Sequence, residues 1–376
     1  MSKLLAMMMK PKNYMYATIK GSLTENNGVF SGFSGSNYLA LQNNINLSTN
    51  FEIKIKFTPS SETTGSKKFL SLFYTNSIYL DFYTSGATPR IDCQYSGGSY
   101  WSQIASNLSY DIPIIITIRG NGTTLNVEVN QNNNSQSGSK TLQELGIENI
   151  TTNNIYFGKG HTTSLPMIDG SIDLNQSYIK IQNTKYQLQA VVGYTVVGSP
   201  TIVDGVVSGF GSSDYLNISK SINPVSENIK TIELFSKITT GNTISASGIL
   251  CSGSYGNGAL GFVVASSRPT LMIYYYNGTA NKNFQCNSSI ILQPNTTYYL
   301  KGYIDIQTGK CKIQVSTDGI NYTLATKTPT NFVSIVNHSY TYHIGQAQNG
   351  VFIGSIDLNE TYIKINNKLW FNGQPA

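Results

Sequence analysis

Charged residues are scarce in this sequence. Only 12% of its 376 residues are Asp, Glu, Lys or Arg, against about a quarter in a typical soluble protein. A nucleic-acid-binding protein needs clustered Lys and Arg to contact phosphates, so the composition argues against that class. Long apolar runs are also missing. Since no stretch of about 18 consecutive apolar residues occurs, the sequence predicts no membrane span.

Cysteine and histidine are few as well. The chain has 4 Cys and 3 His, and neither type shows the close paired spacing of a zinc site or a redox motif. We therefore predict no metal site and no cofactor. Cys311 shares a strand face with Ile313 and Val315, which favours a buried free thiol over a disulfide. The other cysteines are Cys93, Cys251 and Cys286.

Neutral polar and aromatic residues take the place of charge. Asn, Ser, Thr and Gly are abundant, and these residues favour strands, tight turns and a wet, uncharged surface. The 25 Tyr, 15 Phe and an overall hydrophobic content of 40% supply enough apolar surface for packed cores, which excludes a disordered chain. The composition is typical of an extracellular-type β protein.

The sequence contains an internal repeat. Residues 28–39 recur without a gap at 205–216, and residues 170–181 return at 354–365. The spacing between the copies changes little along the chain, so only short loop insertions distinguish them. Because the period is far longer than that of a solenoid unit, each copy is predicted to be a whole domain.

Within each copy the hydrophobic period is two. Residues 51–57 alternate apolar and polar side chains, as do 125–129 and 311–315, which predicts half-buried strands. Gly-containing turns separate these runs. A middle hairpin also repeats, because residues 89–98 match 269–278. The predicted fold class is all-β, with two tandem antiparallel β-sandwich domains of the jelly-roll type.

The repeat sets the expected domain boundaries. We predict a first domain over residues 15–190 and a second over 191–376, joined near 190–198. The repeat ends at about residue 185 and restarts near residue 194, so the stretch between them has no counterpart in either copy. Residues 1–14 form a separate segment, rich in Met and Lys, that either attaches the protein to a partner or is a disordered tail. Its apolar stretch is too short for a secretory signal.

The order of motifs in each copy suggests a family. An opening Gly-x-x-Ser-Gly-Phe followed by Tyr-Leu, a Thr-Thr-Tyr-Tyr-Leu-Lys strand and a closing Gly-Ser-Ile-Asp-Leu-Asn strand resemble the concanavalin A-like lectin/glucanase (laminin G-like) jelly roll. The closing motif is most similar to copies found in bacteriophage virion proteins, including tail and fibre proteins. Because the opening and closing strands occur in this order twice, the resemblance covers nearly the whole chain after about residue 15.

This resemblance implies a non-enzymatic virion protein, a fibre, tail or capsid-surface component that is located in the virion. Its expected partners are other virion proteins, further copies of itself as a homo-oligomer, and a host-surface glycan. The alternative is a secreted, extracellular bacterial adhesin that binds carbohydrate. The lack of a convincing signal segment favours the virion, since virions assemble in the cytoplasm.

Catalytic chemistry is not indicated. Members of this superfamily that hydrolyse glycans carry acidic residues two apart on one strand, so that two carboxylates flank the scissile bond. Glu52 and Glu233 are instead lone acids, interpreted as solvent-facing charges. Asp173 and Asp357 recur at matching places, where they either bind Ca²⁺ or hydrogen-bond the turn backbone, and the backbone role is favoured. We predict no catalytic residues.

Aromatic residues beside turns are the candidate site. An exposed ring can stack on a sugar while neighbouring amides and hydroxyls bind its hydroxyl groups. The glycan-binding candidates are Tyr100 and Trp101 in the first copy and Tyr275 and Asn277 in the second. The alternative, which has more weight, is that the rings among them line the core.

Overall fold

The computed structural model describes residues 14–41, 45–60, 66–75, 78–85, 90–95, 99–152, 154–161, 169–254, 257–347 and 350–375. Regular structure in these ranges is β throughout, as the sequence predicts. The described ranges contain no helix long and apolar enough to cross a membrane. Of the N-terminal segment 1–14, all but Tyr14 lies outside the described residues.

The chain divides into two compact units, Met1–Val191 and Val192–Ala376. The strands that begin in the first unit are β1 (Tyr14–Lys20), β2 (Thr24–Asn26), β3 (Val29–Ser31), β4 (Tyr38–Leu41), β5 (Asn50–Pro59), β6 (Lys67–Thr75), β7 (Ile78–Ser85), β8 (Arg90–Tyr95), β9 (Ser99–Ala105), β10 (Ile114–Asn121), β11 (Thr124–Gln131), β12 (Asn134–Thr141), β13 (Asn154–Phe157), β14 (Gly170–Ile181) and β15 (Thr184–Val197).

The second unit repeats this series. Its strands are β16 (Thr201–Val203), β17 (Val206–Ser208), β18 (Tyr215–Ile218), β19 (Thr231–Thr240), β20 (Ser247–Ser254), β21 (Asn257–Ala265), β22 (Arg268–Tyr276), β23 (Asn281–Asn287), β24 (Thr297–Asp305), β25 (Cys311–Ser316), β26 (Thr323–Lys327), β27 (Ser334–Ile335), β28 (Tyr342–Ile344), β29 (Gln346–Ala347), β30 (Gly350–Val351), β31 (Gly354–Ile365) and β32 (Lys368–Pro375).

Two antiparallel sheets form the sandwich of the first unit. The front sheet has the strand order β1-β4-β13-β6-β7-β8-β9, and the back sheet has the order β3-β14-β5-β10-β11-β12. Their inner faces meet where the Phe57 ring of β5 stacks on the Phe69 ring of β6, with centroids 4.1 Å apart. The alternating residues 51, 53, 55 and 57 are all buried in this core, as the period of two predicts.

The second unit has the same topology. One sheet runs β15-β18-β28-β20-β21-β22-β23, and the other runs β17-β31-β19-β24-β25-β26. Each unit has its own large apolar core. The predicted fold class, two tandem jelly-roll sandwiches, is confirmed.

The expectation that residues between about 185 and 194 have no counterpart is wrong. β15 runs through them as a continuous strand from Thr184 to Val197. Thr195 pairs with Asn217 of β18 as Thr18 of β1 pairs with Ala40 of β4. The second half of β15 is therefore the copy of β1, and its apolar residues Val191, Val192 and Tyr194 are buried.

The closing motif of each copy is a structural device. Asp173 accepts a hydrogen bond from the backbone N–H of Asn175 at 3.0 Å and lies 3.4 Å from the Lys56 ammonium. Asp357 makes the equivalent contacts in the second unit. This arrangement agrees with the backbone role, and the described part of the chain holds no group of three or more His, Cys, Asp or Glu side chains that could bind a metal.

Candidate binding face of the first unit

The front sheet of the first unit has a polar outer face. Along β7, Leu80 and Phe82 belong to the core, and alternate side chains of a strand lie on opposite sides of the sheet. Asp81 therefore lies on the outer side. Residues that pair across antiparallel strands share a side, so Gln94, the partner of Asp81, and Tyr100, the partner of Gln94, also belong to this outer face.

A buried charge network occupies the middle of the outer face. Asp81 is 0% exposed, and its carboxylate lies 2.7 Å from His161 Nδ1 and 4.0 Å from Lys68 Nζ. The Lys68 ammonium donates a hydrogen bond to Gln94 Oε1 at 3.0 Å. Burial lowers the pKa of Lys68, while the charge of Asp81 opposes that shift. The His161 ring stacks on Tyr79 with centroids 3.5 Å apart, which fixes its orientation.

A second buried carboxylate adjoins this network. Asp92 is fully buried, accepts a hydrogen bond from Arg90 Nε at 2.9 Å and accepts another from the backbone N–H of Gln103 at 2.6 Å. The Lys68 ammonium lies 4.0 Å from the centroid of Tyr83. Both acids of this face are thus engaged by cations or backbone donors, as buried charges require.

Tyr100 connects the network to solvent. Its side chain is 60% exposed, and its hydroxyl accepts a hydrogen bond from Gln94 Nε2 at 3.3 Å. Because Gln94 also holds Lys68, the exposed ring is attached to groups that are themselves fixed. Chemically, the face offers an aromatic surface beside orientated donors and acceptors, which is the arrangement that suits a sugar ring.

Trp101, the neighbouring candidate, lies in the core. Its side chain is 8% exposed and belongs to the core of the first unit, and its backbone pairs with that of buried Cys93. A Cβ atom at Gly138 would lie only 2.8 Å from the Trp101 ring, so the opposing strand β12 approaches the ring closely. The ring has no open face on which a sugar could stack.

Tyr275 is also a core residue. It is 8% exposed, and its ring packs against Phe284 and Phe332, with centroids 6.5 and 5.9 Å away. The exposed ring of this hairpin is the adjacent Tyr276, at 37%. The sequence contains a signal for this, because the two-residue period puts Tyr275 on the same side as buried Ile273. Sugar stacking by Trp101 or Tyr275 is not favoured by these positions.

Asn277 shapes the turn between β22 and β23. Its side-chain oxygen accepts hydrogen bonds from the backbone N–H groups of Thr279 at 3.0 Å and Ala280 at 2.9 Å. These bonds use the carbonyl end of the amide to hold the turn. Its role in glycan binding stays a prediction, as does that of Tyr100.

The two lone acids of the sequence analysis differ in surroundings. Glu52 lies on the outer side of the back sheet, 2.6 Å from Arg119 Nε, and accepts a hydrogen bond from the Tyr178 hydroxyl. Glu233 is 9% exposed rather than solvent-facing. Burial raises its pKa, and the neighbouring Lys364 opposes that shift.

Sequence reasoning missed the buried network. Asp81 and His161 are 80 residues apart, and only the pairing of β13 with β6 and of β6 with β7 brings the two close. Spacing along the chain carries no signal for such a contact. The four cysteines, in contrast, are free and buried, as predicted.

The second unit lacks this network at the equivalent positions. Ser71 pairs with Asp81 in the first unit, and Cys251 pairs with Gly261 in the second. Gly261 in turn pairs with Met272, whereas Asp81 pairs with Gln94. The sequence match of 89–98 with 269–278 aligns Gln94 with Tyr274, so the strand pairing in the second unit is shifted by two residues from that match. The outer positions of this sheet in the second unit form a small buried apolar cluster of Cys251, Ala259, Val263, Ala265, Met272 and Ala347.

Solved structures with similar folds are distant. Domains LG4-5 of the mouse laminin α1 chain are 13% identical with a TM-score of 0.33, and the alignment covers 96% of each chain. The enzymatically active domain of bacteriophage CBA120 tailspike protein 2 is 12% identical with a TM-score of 0.34, over 48% of this chain and 32% of that one. Domain 4 of AbnA, an arabinanase of Geobacillus stearothermophilus solved with arabinotriose, is 9% identical with a TM-score of 0.32, over 45% and 82%. No family model and no curated protein matches the sequence. Likenesses at this level carry no argument about activity or ligand.

Proposed function

We propose that this protein is a non-enzymatic binding protein of a bacteriophage virion, which recognises a glycan through the outer face of its first unit. The observation that carries the binding role is the exposed Tyr100 ring, held through Gln94 to the buried Lys68 and Asp81. A ring fixed in this way loses little conformational freedom when a sugar stacks on it.

The surroundings of the two buried acids support binding over hydrolysis. A glycosidase needs one carboxyl group to protonate the leaving oxygen and a second one to act on the sugar carbon or a water. Asp81 is occupied by His161 and Lys68, and Asp92 by Arg90. Fully buried carboxylates in these ion pairs hold the side chains of the outer face in place.

The virion location is supported by the resemblance of the closing motif to virion proteins. Single protein–sugar contacts are weak, and display of many copies on a particle would convert them into firm attachment. A homo-oligomer on the particle surface fits this requirement. Mass spectrometry of purified particles tests the location, since an adhesin secreted by a bacterium would be absent from them.

Binding of oligosaccharides to immobilised wild-type protein tests the glycan role. We expect Tyr100→Ala to weaken binding by about tenfold, because stacking contributes about 1 kcal/mol and the hydrogen bond to Gln94 is lost. Tyr276→Ala is the matched control, because it removes an exposed ring from the second unit. Equal binding by wild type and Tyr100→Ala would contradict the proposal.

A further inference from the structure

Lys159 is a buried cation without a counter-ion in the described part of the chain. Its side chain is 6% exposed, and its ammonium lies 3.9 Å from the centroid of Tyr38 and 4.8 Å from that of Tyr156. None of the described carboxylates lies within 4.0 Å of it. Two aromatic faces attract a cation, but they do not neutralise its charge.

A second lysine adds to the positive potential at this place. Lys20 lies at the end of β1, near Lys159. Burial lowers the pKa of Lys20, and the charge of Lys159 lowers it further. Two ammonium groups in a partly desolvated setting repel each other, so the positive potential beside Lys159 is raised.

The lysine pair belongs to the same outer face as Tyr100. Across the front sheet, Tyr156 pairs with Ser71, Ser71 with Asp81, Asp81 with Gln94 and Gln94 with Tyr100. These five residues form one line on one side of the sheet. Neighbouring strands are about 4.8 Å apart, so Tyr156 and Tyr100 are separated by four spacings, or roughly 19 Å. An extended oligosaccharide can span that distance.

We propose that the ligand of this face is an acidic oligosaccharide, in which one sugar stacks on Tyr100 and the carboxylate of another pairs with Lys159. This inference rests on the proposed glycan-binding function and names its ligand class. The cation–π contacts with Tyr38 and Tyr156 orient the ammonium before the ligand arrives, and the carboxylate supplies the missing negative charge.

The second unit shows what the position looks like without a charge. Gly158 and Gly345 both have positive φ and both lie against a phenylalanine ring, so they are equivalent positions of the two units. Lys159 and Gln346, which follow them, are therefore equivalent as well. The Gln346 amide donates a hydrogen bond to the Ser212 carbonyl oxygen at 2.7 Å. A neutral side chain is therefore accommodated in this fold, and the acidic subsite belongs to the first unit.

Calorimetric titration with a matched pair of ligands tests the inference. The probes are an oligosaccharide of uronic acid residues and the same oligosaccharide with its carboxyl groups reduced to alcohols. We expect wild type to bind the acidic form about tenfold more tightly at low salt, because one charge-assisted pair is gained. Raising the salt concentration should shrink the difference.

Lys159→Gln should remove the preference for the acidic form, and Lys159→Arg should retain it. Lys185→Gln is the matched control, since it also removes one positive charge and a cation–π contact, that of Lys185 with Tyr178 at 3.9 Å. Equal affinity of wild type for the two forms would overturn the acidic subsite and leave the glycan function standing. Failure to bind either form would count against both.

Discussion

Tyr100 and Trp101 are adjacent in β9, but one side chain lies on the surface and the other in the core. The first is 60% exposed and the second is 8% exposed. Tyr100→Ala should therefore alter ligand binding and hardly affect stability, whereas Trp101→Ala should do the reverse. The comparison is well matched, because both substitutions truncate a large aromatic side chain in the same strand.

The size of the stability loss follows from the packing. Replacing a buried Trp by Ala typically costs about 3–5 kcal/mol, with the upper part of the range where the site cannot collapse. Gly138, which lies against the ring, has no side chain that could fill the space. We expect a loss of about 4 kcal/mol, which in a unit of this size lowers the midpoint of thermal unfolding by about 8–16 °C. For Tyr100→Ala the expected change is within about 0.5 kcal/mol.

Urea unfolding followed by circular dichroism measures both changes. Tryptophan fluorescence adds information, because the only other Trp, Trp370, packs against the core of the second unit. In Trp101→Ala, fluorescence should show that the second unit unfolds at an unchanged urea concentration. Circular dichroism should show that the first unit unfolds at a lower urea concentration than in wild type. Wild-type stability of Trp101→Ala combined with a loss of glycan binding would refute the assignment of this ring to the core.

Three further predictions concern the buried charge network of Asp81, the cysteine thiols and the stability of the protein at alkaline pH. Asp81→Asn should lower the unfolding free energy of the first unit by about 3–5 kcal/mol, because it leaves the buried Lys68 without its carboxylate. A loss below about 1 kcal/mol in urea unfolding would show that the ion pair does not stabilise the unit. A thiol reagent should modify no cysteine in the native protein and all 4 after unfolding, since burial raises the pKa of Cys251 to about 12; fast labelling of the native protein would contradict the burial. Tyr16 and Tyr322 have pKa values of about 12, raised chiefly by burial, against about 10 in an unfolded chain. Their contribution to stability is fully present below pH 10 and is lost as the pH rises from 10 to 12, so a flat stability profile over that window in urea titrations would contradict it.

The fold could be predicted because its signals are local and occur twice. Alternation along residues 51–57 determines which side of β5 is buried, and the repeat of the opening and closing motifs shows where each sandwich begins and ends. β15 continues through the stretch between the repeated motifs, where Val191, Val192 and Tyr194 are buried. The repeated motifs end before that stretch and restart at its end, so motif matches alone do not predict its strand.

The candidate site could be predicted only in part. Tyr100 was identified from its place beside a turn, but the same criterion also selected Trp101 and Tyr275, whose burial depends on which side of the strand they occupy. Lys159 and His161 follow β13, and only the order of strands in the front sheet brings β13 beside β4 and β6. Contacts that depend on strand order leave no pattern in a single sequence.

Glycan binding by the outer face of the first unit is tested most directly by titrating wild type, Tyr100→Ala and Lys159→Gln with the uronic acid oligosaccharide, followed by NMR or calorimetry. We expect saturable binding by wild type, weakened about tenfold by either substitution, with the unfolding midpoint unchanged for Tyr100→Ala. Binding at full strength in both variants would show that the ligand binds elsewhere on the molecule.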